Sequence, residues 1–256
     1  MKFIILGCGS SMGVPRPDSF FGKCNPKEKK NYRTRCSAVI VSKNETILID
    51  TSPDLRQQLI NNNIKKIDKV FYSHMHADQT HGINDLRVFY LRQKKTIPVY
   101  ADTVTKKYLF NTFGYCFKNT NKEYPATLKL KTINNRLNLK DGKKSFPVKT
   151  VKVQHGKVES ICYIIDQKLA YISDISEIKK KDFKYFKNLK FLIIDCLWLK
   201  YHPSHLNLEK SLMYINEFKP KKTILTNLHS DLDYNYLKKI LPKNIIPAYD
   251  GLTLKL

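Results

Sequence analysis

The sequence predicts an α/β fold of layered sheets in a single domain, and three observations carry that expectation. Short β-branched and apolar runs alternate with segments of helical apolar spacing along the whole chain. No low-complexity linker or break in composition divides them. The residues best suited to chemistry stand directly after apolar strands, where α/β folds carry their functional groups.

Each element has a local reason. Residues 2–6, 38–42 and 46–49 are β-branched and apolar, with Gly, Asn or Lys punctuation between them, and read as strands. Ser52-Pro53-Asp54 then opens a helix with a cap and a proline at its first position, and Leu55, Leu59 and Ile60 supply its apolar stripe. Residues 68–73 and 98–101 read as further strands, as do 148–153, 161–165, 169–172 and 191–194. Leu208, Leu212, Ile215 and Phe218 form the stripe of a helix over 208–218, closed by Pro220. Residues 223–226 make a strand, 234–241 a helix, and 245–256 a terminal strand pair around Asp250-Gly251. The least regular segment, 111–138, reads as an insertion or lid.

Composition removes several classes. The chain of 256 residues has no run approaching 18 apolar residues, which excludes a membrane-spanning helix. Its 15 Tyr and 13 Phe are spread throughout, which argues against disorder. The opening Met-Lys-Phe-Ile-Ile-Leu-Gly is too short for the apolar core of a secretory signal. Six scattered cysteines without a CxxC pair fit free thiols in a reducing compartment, so the expected location is cytoplasmic. The net charge of +24 attracts nucleic acid and small anions alike. Only seven of the 46 basic residues are arginine, and the richness in Lys, Asn and Ile is what an AT-rich coding sequence supplies. The basic runs at 27–30 and 179–181 are short and separated, as on a solvated surface. A small anionic partner would be attracted by the same field, so charge alone decides little between it and nucleic acid; a homodimer is compatible with both.

The informative segment is Ser73-His74-Met75-His76-Ala77-Asp78-Gln79-Thr80-His81-Gly82, which follows a buried strand. In extended chain, alternate residues point to one side, so His74, His76 and Asp78 converge. Two imidazoles and a carboxylate suit zinc, manganese or iron. Asp78 is also placed to cap the helix that follows, which would aim Gln79 back at the same point. Further ligands stand at strand ends: His155, Asp174 and His229.

With these residues the chain resembles the metallo-β-lactamase superfamily of hydrolases, whose signature is H-x-H-x-D-H with outlying His, Asp and His ligands. The resemblance implies a four-layer αββα sandwich over residues 1–256 and two divalent ions, Zn or Mn. His74, His76 and His155 match the first ion's ligands, Asp174 the bridging aspartate, and Asp78 with His229 ligands of the second. Asp50 matches an early aspartate that supports the ligand loop. Gly7 to Pro15, Asp50 to Arg56, His81 to Arg87 and His202-Pro203-Ser204-His205 resemble the phosphoribosyl 1,2-cyclic phosphate phosphodiesterase group.

That likeness implies hydrolysis of a small cyclic phosphate ester by metal-bound hydroxide, with His205 as general acid and Asp78 as a second catalytic candidate. Arg87 or a nearby lysine would hold a second phosphate. The same superfamily contains tRNA 3′-end-processing endonucleases, and a nucleic-acid-binding relative without catalysis is the third expectation. Two departures qualify the match. Gln79 stands where the motif's last histidine would be, which weakens the second ion's site; substitution by His81 is the less favoured alternative, since its neighbours match a family position that does not normally bind metal. Cys24 and Cys36 are too few for the structural zinc that the phosphodiesterase group often carries, so none is expected.

Overall fold

The computed structural model describes residues 1–119, 123–134 and 136–256. One seven-stranded sheet is built from β1 (Lys2–Gly7), β2 (Ser37–Val41), β3 (Thr46–Ile49), β4 (Lys69–Phe71), β5 (Ile97–Ala101), β6 (Leu128–Thr132) and the last strand, β14 (Thr253–Lys255), in the order β14-β1-β2-β3-β4-β5-β6. The other is built from β7 (Arg136–Asp141), β8 (Lys144–His155), β9 (Val158–Ile165), β10 (Leu169–Ile172), β11 (Phe191–Asp195), β12 (Lys222–Thr226) and β13 (Ile245–Pro247), in the order β13-β12-β11-β10-β9-β8-β7. Helices α1 (Leu55–Asn61), α3 (Arg87–Gln93) and α4 (Thr103–Thr112) cover the first sheet, and α6 (Leu208–Phe218) and α7 (Tyr234–Ile240) the second. Two short helices, α2 (Ala77–Thr80) and α5 (Gly114–Phe117), complete the set.

Alternation of side chains along the strands produces the layers. Phe3 and Ile5 of β1 point into the middle, where they meet Phe71, Tyr163, Tyr171, Ile193 and Ile224 between the sheets. Ile4 and Leu6 point outward to Leu48, Val70 and Val99, under Leu55, Leu59, Phe89 and Leu109. On the far side Ile164, Ile172, Ile194 and Leu225 lie under Tyr214, Phe218 and Leu237. Strands buried on both faces read as unbroken apolar runs, which is why periodicity alone did not separate their two faces. The result is the four-layer αββα sandwich.

Strands β3 to β6 run parallel, and so do β10 to β13. Since β8 is antiparallel to β9 and β9 antiparallel to β10, β8 ends on the same side as β10. The residues that follow β4, β8, β10, β11 and β12 therefore share one edge of the sandwich, the carboxyl ends where α/β sheets place their sites.

Two elements differ from the sequence expectation. Residues 245–256 form no paired hairpin: β13 lies beside β12, the chain turns at Asp250-Gly251, and β14 joins β1 in the other sheet. Asp250 anchors the crossing, its carboxylate accepting from the N–H of Cys8 and from the N–H and hydroxyl of Thr34. Nor is 111–138 an insertion in its described part, which carries the end of α4, α5, β6 and the start of β7. Only one β6 position is buried, because an edge strand has one half-covered face and lacks the apolar run that marks inner strands. Residues 120–122 and 135 of that segment lie outside the described residues.

Candidate metal centre

Strand β4 hands its chain to a short extended segment before α2 begins, and Asp50 fixes that exit. Its Oδ1 accepts the N–H of Ser73 at 2.7 Å from a left-handed backbone (φ 61°). The loops after β3 and β4 are also laced together, Thr51 N–H to the Gln79 carbonyl at 2.8 Å and Gly82 N–H to the Thr51 carbonyl at 2.9 Å. A side chain at Gly82 would put its Cβ 2.0 Å from the Ser52 carbonyl, so this approach requires glycine.

On this frame three imidazoles converge. His74 Nε2 lies 3.0 Å and His155 Nε2 3.2 Å from His76 Nδ1. The outer nitrogens are engaged elsewhere: His155 Nδ1 donates to the Ser204 carbonyl at 2.7 Å, and His74 Nδ1 sits 3.0 Å from Ser73 Oγ. With the proton of each ring on its outer nitrogen, the inner nitrogens of His74 and His155 present lone pairs to one another. Burial pushes His74 down to about 3 and lowers His76 and His155, so the rings stay neutral at physiological pH. Neutral imidazoles facing lone pair to lone pair are what a cation requires, with the outer hydrogen bonds setting the tautomer.

A second cluster shares His155 with Asp174 and His205. Burial works to raise Asp174, yet the imidazoles of His74, His155 and His205 around it hold it below the usual carboxylate range. His205 Nδ1 donates to Asp195 Oδ2 at 2.7 Å, and Asp195 is fully buried at the end of β11. Burial lowers His205, but Asp195 outweighs it and pushes His205 up to about 9. Burial raises Asp195 to about 6 against the pull of His205. At neutral pH this is a buried ion pair with Nε2 of His205 left free.

Comparison with known proteins bears on this arrangement. A family model described as the β-lactamase superfamily domain matches residues 45–227, which include both clusters. The chain belongs to the β-lactamase superfamily. An octanoyltransferase of Porphyromonas gingivalis is 30% identical over 98% of this chain and 51% of that protein. A ribonuclease Z of Oceanobacillus iheyensis is 26% identical over 66% of this chain and 50% of that protein. The chain thus spans about half the length of the curated relatives it matches. Among solved structures, a diphosphatase from the PhnP family superposes with a TM-score of 0.89 at 29% identity, covering 100% of this chain and 97% of the other. Both ligand clusters thus lie within the part of the chain that the family model matches.

The residues present fit the superfamily's first metal position. They do not fit its second. Asp78, expected to cap the helix that carries Ile83, Leu86, Phe89 and Tyr90, lies instead inside α2; the turn Ile83–Leu86 and α3 start without a side-chain cap, and Asp78 makes another contact. Its Oδ2 accepts from Gln79 Nε2 at 3.2 Å, and the same nitrogen donates to Asp174 Oδ2 at 3.2 Å. Gln79 does aim back at the site, fully buried. His81 does not substitute for it: its Nε2 is 3.0 Å from the Tyr108 hydroxyl, with Phe113 against the ring.

His229, expected among the ligands, is not brought to the cluster. Asn227 takes a left-handed conformation (φ 60°), Leu228 pairs back to the Cys8 carbonyl, and His229 N–H then meets the Leu197 carbonyl. Its ring lies 5.2 Å from Trp198, and its Nδ1 accepts the N–H of Asp231. The residue of this strand end that reaches the site is Asn227, whose Nδ2 donates to Asp195 Oδ1 at 3.3 Å. Asp195 ends an apolar strand just as Asp174 does, so the rule that found Asp174 could have found it. Asn227 carried no such signal, since an amide is a weak candidate ligand.

His202 turns its Nδ1 to Ser204, 5.2 Å by ring centre from His205. Arg87 is exposed at the start of α3. Near Cys24 the loop of residues 23–34 is tied down by Arg33, which is 2% exposed. Its guanidinium donates to Asn31 Oδ1 at 3.1 Å and to the Leu232 and His229 carbonyls at 2.8 and 3.5 Å. Its Nη1 is 3.9 Å from Cys24 Sγ. A buried guanidinium with several acceptors joins the loop to the segment after β12.

Proposed function

We propose that the chain is a phosphodiesterase that hydrolyses a small cyclic phosphate ester of the phosphoribosyl 1,2-cyclic phosphate kind. The observation that carries this reading is the adjacency of a three-imidazole cation pocket to a histidine held protonated by a buried carboxylate. His74, His76, His155 and Asp174 would hold a divalent ion, which supplies Lewis acidity and lowers the pKa of water towards ~7. In the reaction a bond forms between phosphorus and the oxygen of water, the water's proton passes to the Asp78 carboxylate, and the bond from phosphorus to one ester oxygen breaks. The departing alkoxide needs a proton. His205 gives it from Nε2, because Nδ1 is committed to Asp195, and the ion pair keeps the ring charged until it does. Asp78 borders the pocket, and its carboxylate, raised to about 6 by burial and by the charge of Asp174, is the second group able to carry a proton there.

Likeness to a PhnP-family diphosphatase over the full length supports phosphoryl chemistry, and six unpaired, buried cysteines support a cytoplasmic setting. Loss of phosphodiester hydrolysis in His74→Ala and in Asp174→Ala protein is the expected outcome; retained activity in either would contradict the reading. A second reading, a tRNA 3′-end-processing endonuclease, is favoured by the ribonuclease Z match and the +24 charge. It predicts cleavage of a precursor tRNA with a 3′ trailer and no turnover of the cyclic sugar phosphate.

A further inference from the structure

The site gathers two groups of donors that share His155: one is completed by His74 and His76, the other by Asp174 and by His205, whose Nδ1 is already committed to Asp195. We propose that this chain works with a single divalent ion, held by His74, His76, His155 and Asp174, and that Gln79 and Asn227 close the second position. The inference rests on the metal-dependent reading above and narrows it. Two-ion sites of this kind place the ions about 3.5–4 Å apart, so each needs its own donors beyond the bridging carboxylate.

The carboxylates a second ion would use are Asp78 and Asp174. Between them lies not a ligand but a hydrogen-bond donor, Gln79 Nε2, at 3.2 Å from each. An amide N–H₂ there offsets the repulsion of two carboxylates that a dication would otherwise neutralise. Gln79 is buried, so water does not serve in its place. The remaining donor would come from the strand end after β12. There His229 is turned to Trp198 and Asp231, and the amide of Asn227 is taken up by the His205–Asp195 pair, its Nδ2 lying 3.3 Å from Asp195 Oδ1 and 3.0 Å from His205 Nδ1. Among the described residues, every cluster of three His, Cys, Asp or Glu donors contains His155, and none contains Asp78 or His229. The two amides thus serve the one-ion site: one steadies the paired carboxylates, the other steadies the partner of His205.

The test is a metal count that does not depend on turnover. Full-length protein is stripped, saturated with Mn²⁺ or Zn²⁺, passed over a desalting column and analysed by elemental mass spectrometry. About one ion per chain is expected, with the Mn²⁺ form giving the uncoupled six-line electron paramagnetic resonance spectrum. About two ions, or a spin-coupled manganese pair, would overturn the proposal and leave the hydrolase reading intact. No bound ion would overturn both. The double variant Gln79→His/Asn227→His, shown by circular dichroism to be folded, should rise from about one ion to about two. A folded double variant that stays at one would contradict the role assigned to these amides.

Discussion

In the proposed reaction, proton delivery would depend on three atoms in a row, Asp195 Oδ2, His205 Nδ1 and His205 Nε2. His205→Ala is expected to lower kcat by roughly 10²–10⁴ with bound metal retained, the range usual for a lost general acid. Asp195→Asn should lower it less, since the ring keeps a neighbour but loses the charge that holds its proton. Metal content measured beside kcat separates this from damage to the pocket; a variant that loses its ion would show His205 to be a ligand. Arg33 is a second residue whose worth lies in what it satisfies. Arg33→Met leaves the Leu232 carbonyl without its donor, while Asn31 Oδ1 and the His229 carbonyl keep the N–H of Tyr234 and of Leu232, at a cost of about 2 kcal/mol. Urea unfolding measures it, and a change below about 0.5 kcal/mol would mean that the loop is held by other contacts.

Elements place these residues, and each strand end contributes by its register. The loops after β3 and β4 touch because residue 82 has no side chain. Gly82→Ala should therefore destabilise by about 2 kcal/mol or more and reduce metal retention, since the ligand loop must move. Unchanged thermal melting and metal content would show that the loop yields freely. Helix α6 follows His205 directly, and Asn207 caps it by accepting the N–H of Lys210 at 3.0 Å. Asn207→Ala should cost about 1 kcal/mol in the same unfolding assay, with little effect on kcat, and a large loss of kcat instead would tie the cap to the site. The inner strands, the stripe of α6 and the convergence of His74, His76, His155 and Asp174 were all legible, because buried strands and His/Asp residues set at strand ends each leave a local residue pattern. What stayed hidden depends on backbone turns. The left-handed Asn227 decides that His229 faces Trp198, and no spacing rule reports that. Edge strands β6 and β7 were missed because half-exposed strands lack the apolar run, whereas Asp195, at the end of β11, was open to the same strand-end rule that found Asp174.

At the scale of the whole molecule, two sheets with parallel strands ending at one edge gather residues from positions 74 to 227 into one site. The chain carries its net charge of +24 whatever its substrate. If the substrate is a small phosphate ester, kcat/KM should fall only a few-fold between 50 and 200 mM salt, whereas binding through 6–10 phosphates would weaken by about 10³–10⁵ over that range. A steep loss on the small ester would show that the charge guides even that substrate by long-range attraction. The most direct test of the account is the rate at which manganese- or zinc-reconstituted protein turns over 5-phosphoribosyl 1,2-cyclic phosphate, run beside a precursor tRNA carrying a 3′ trailer. Fast hydrolysis of the sugar phosphate with the tRNA left intact is the predicted result. Cleavage of the tRNA alone would contradict it.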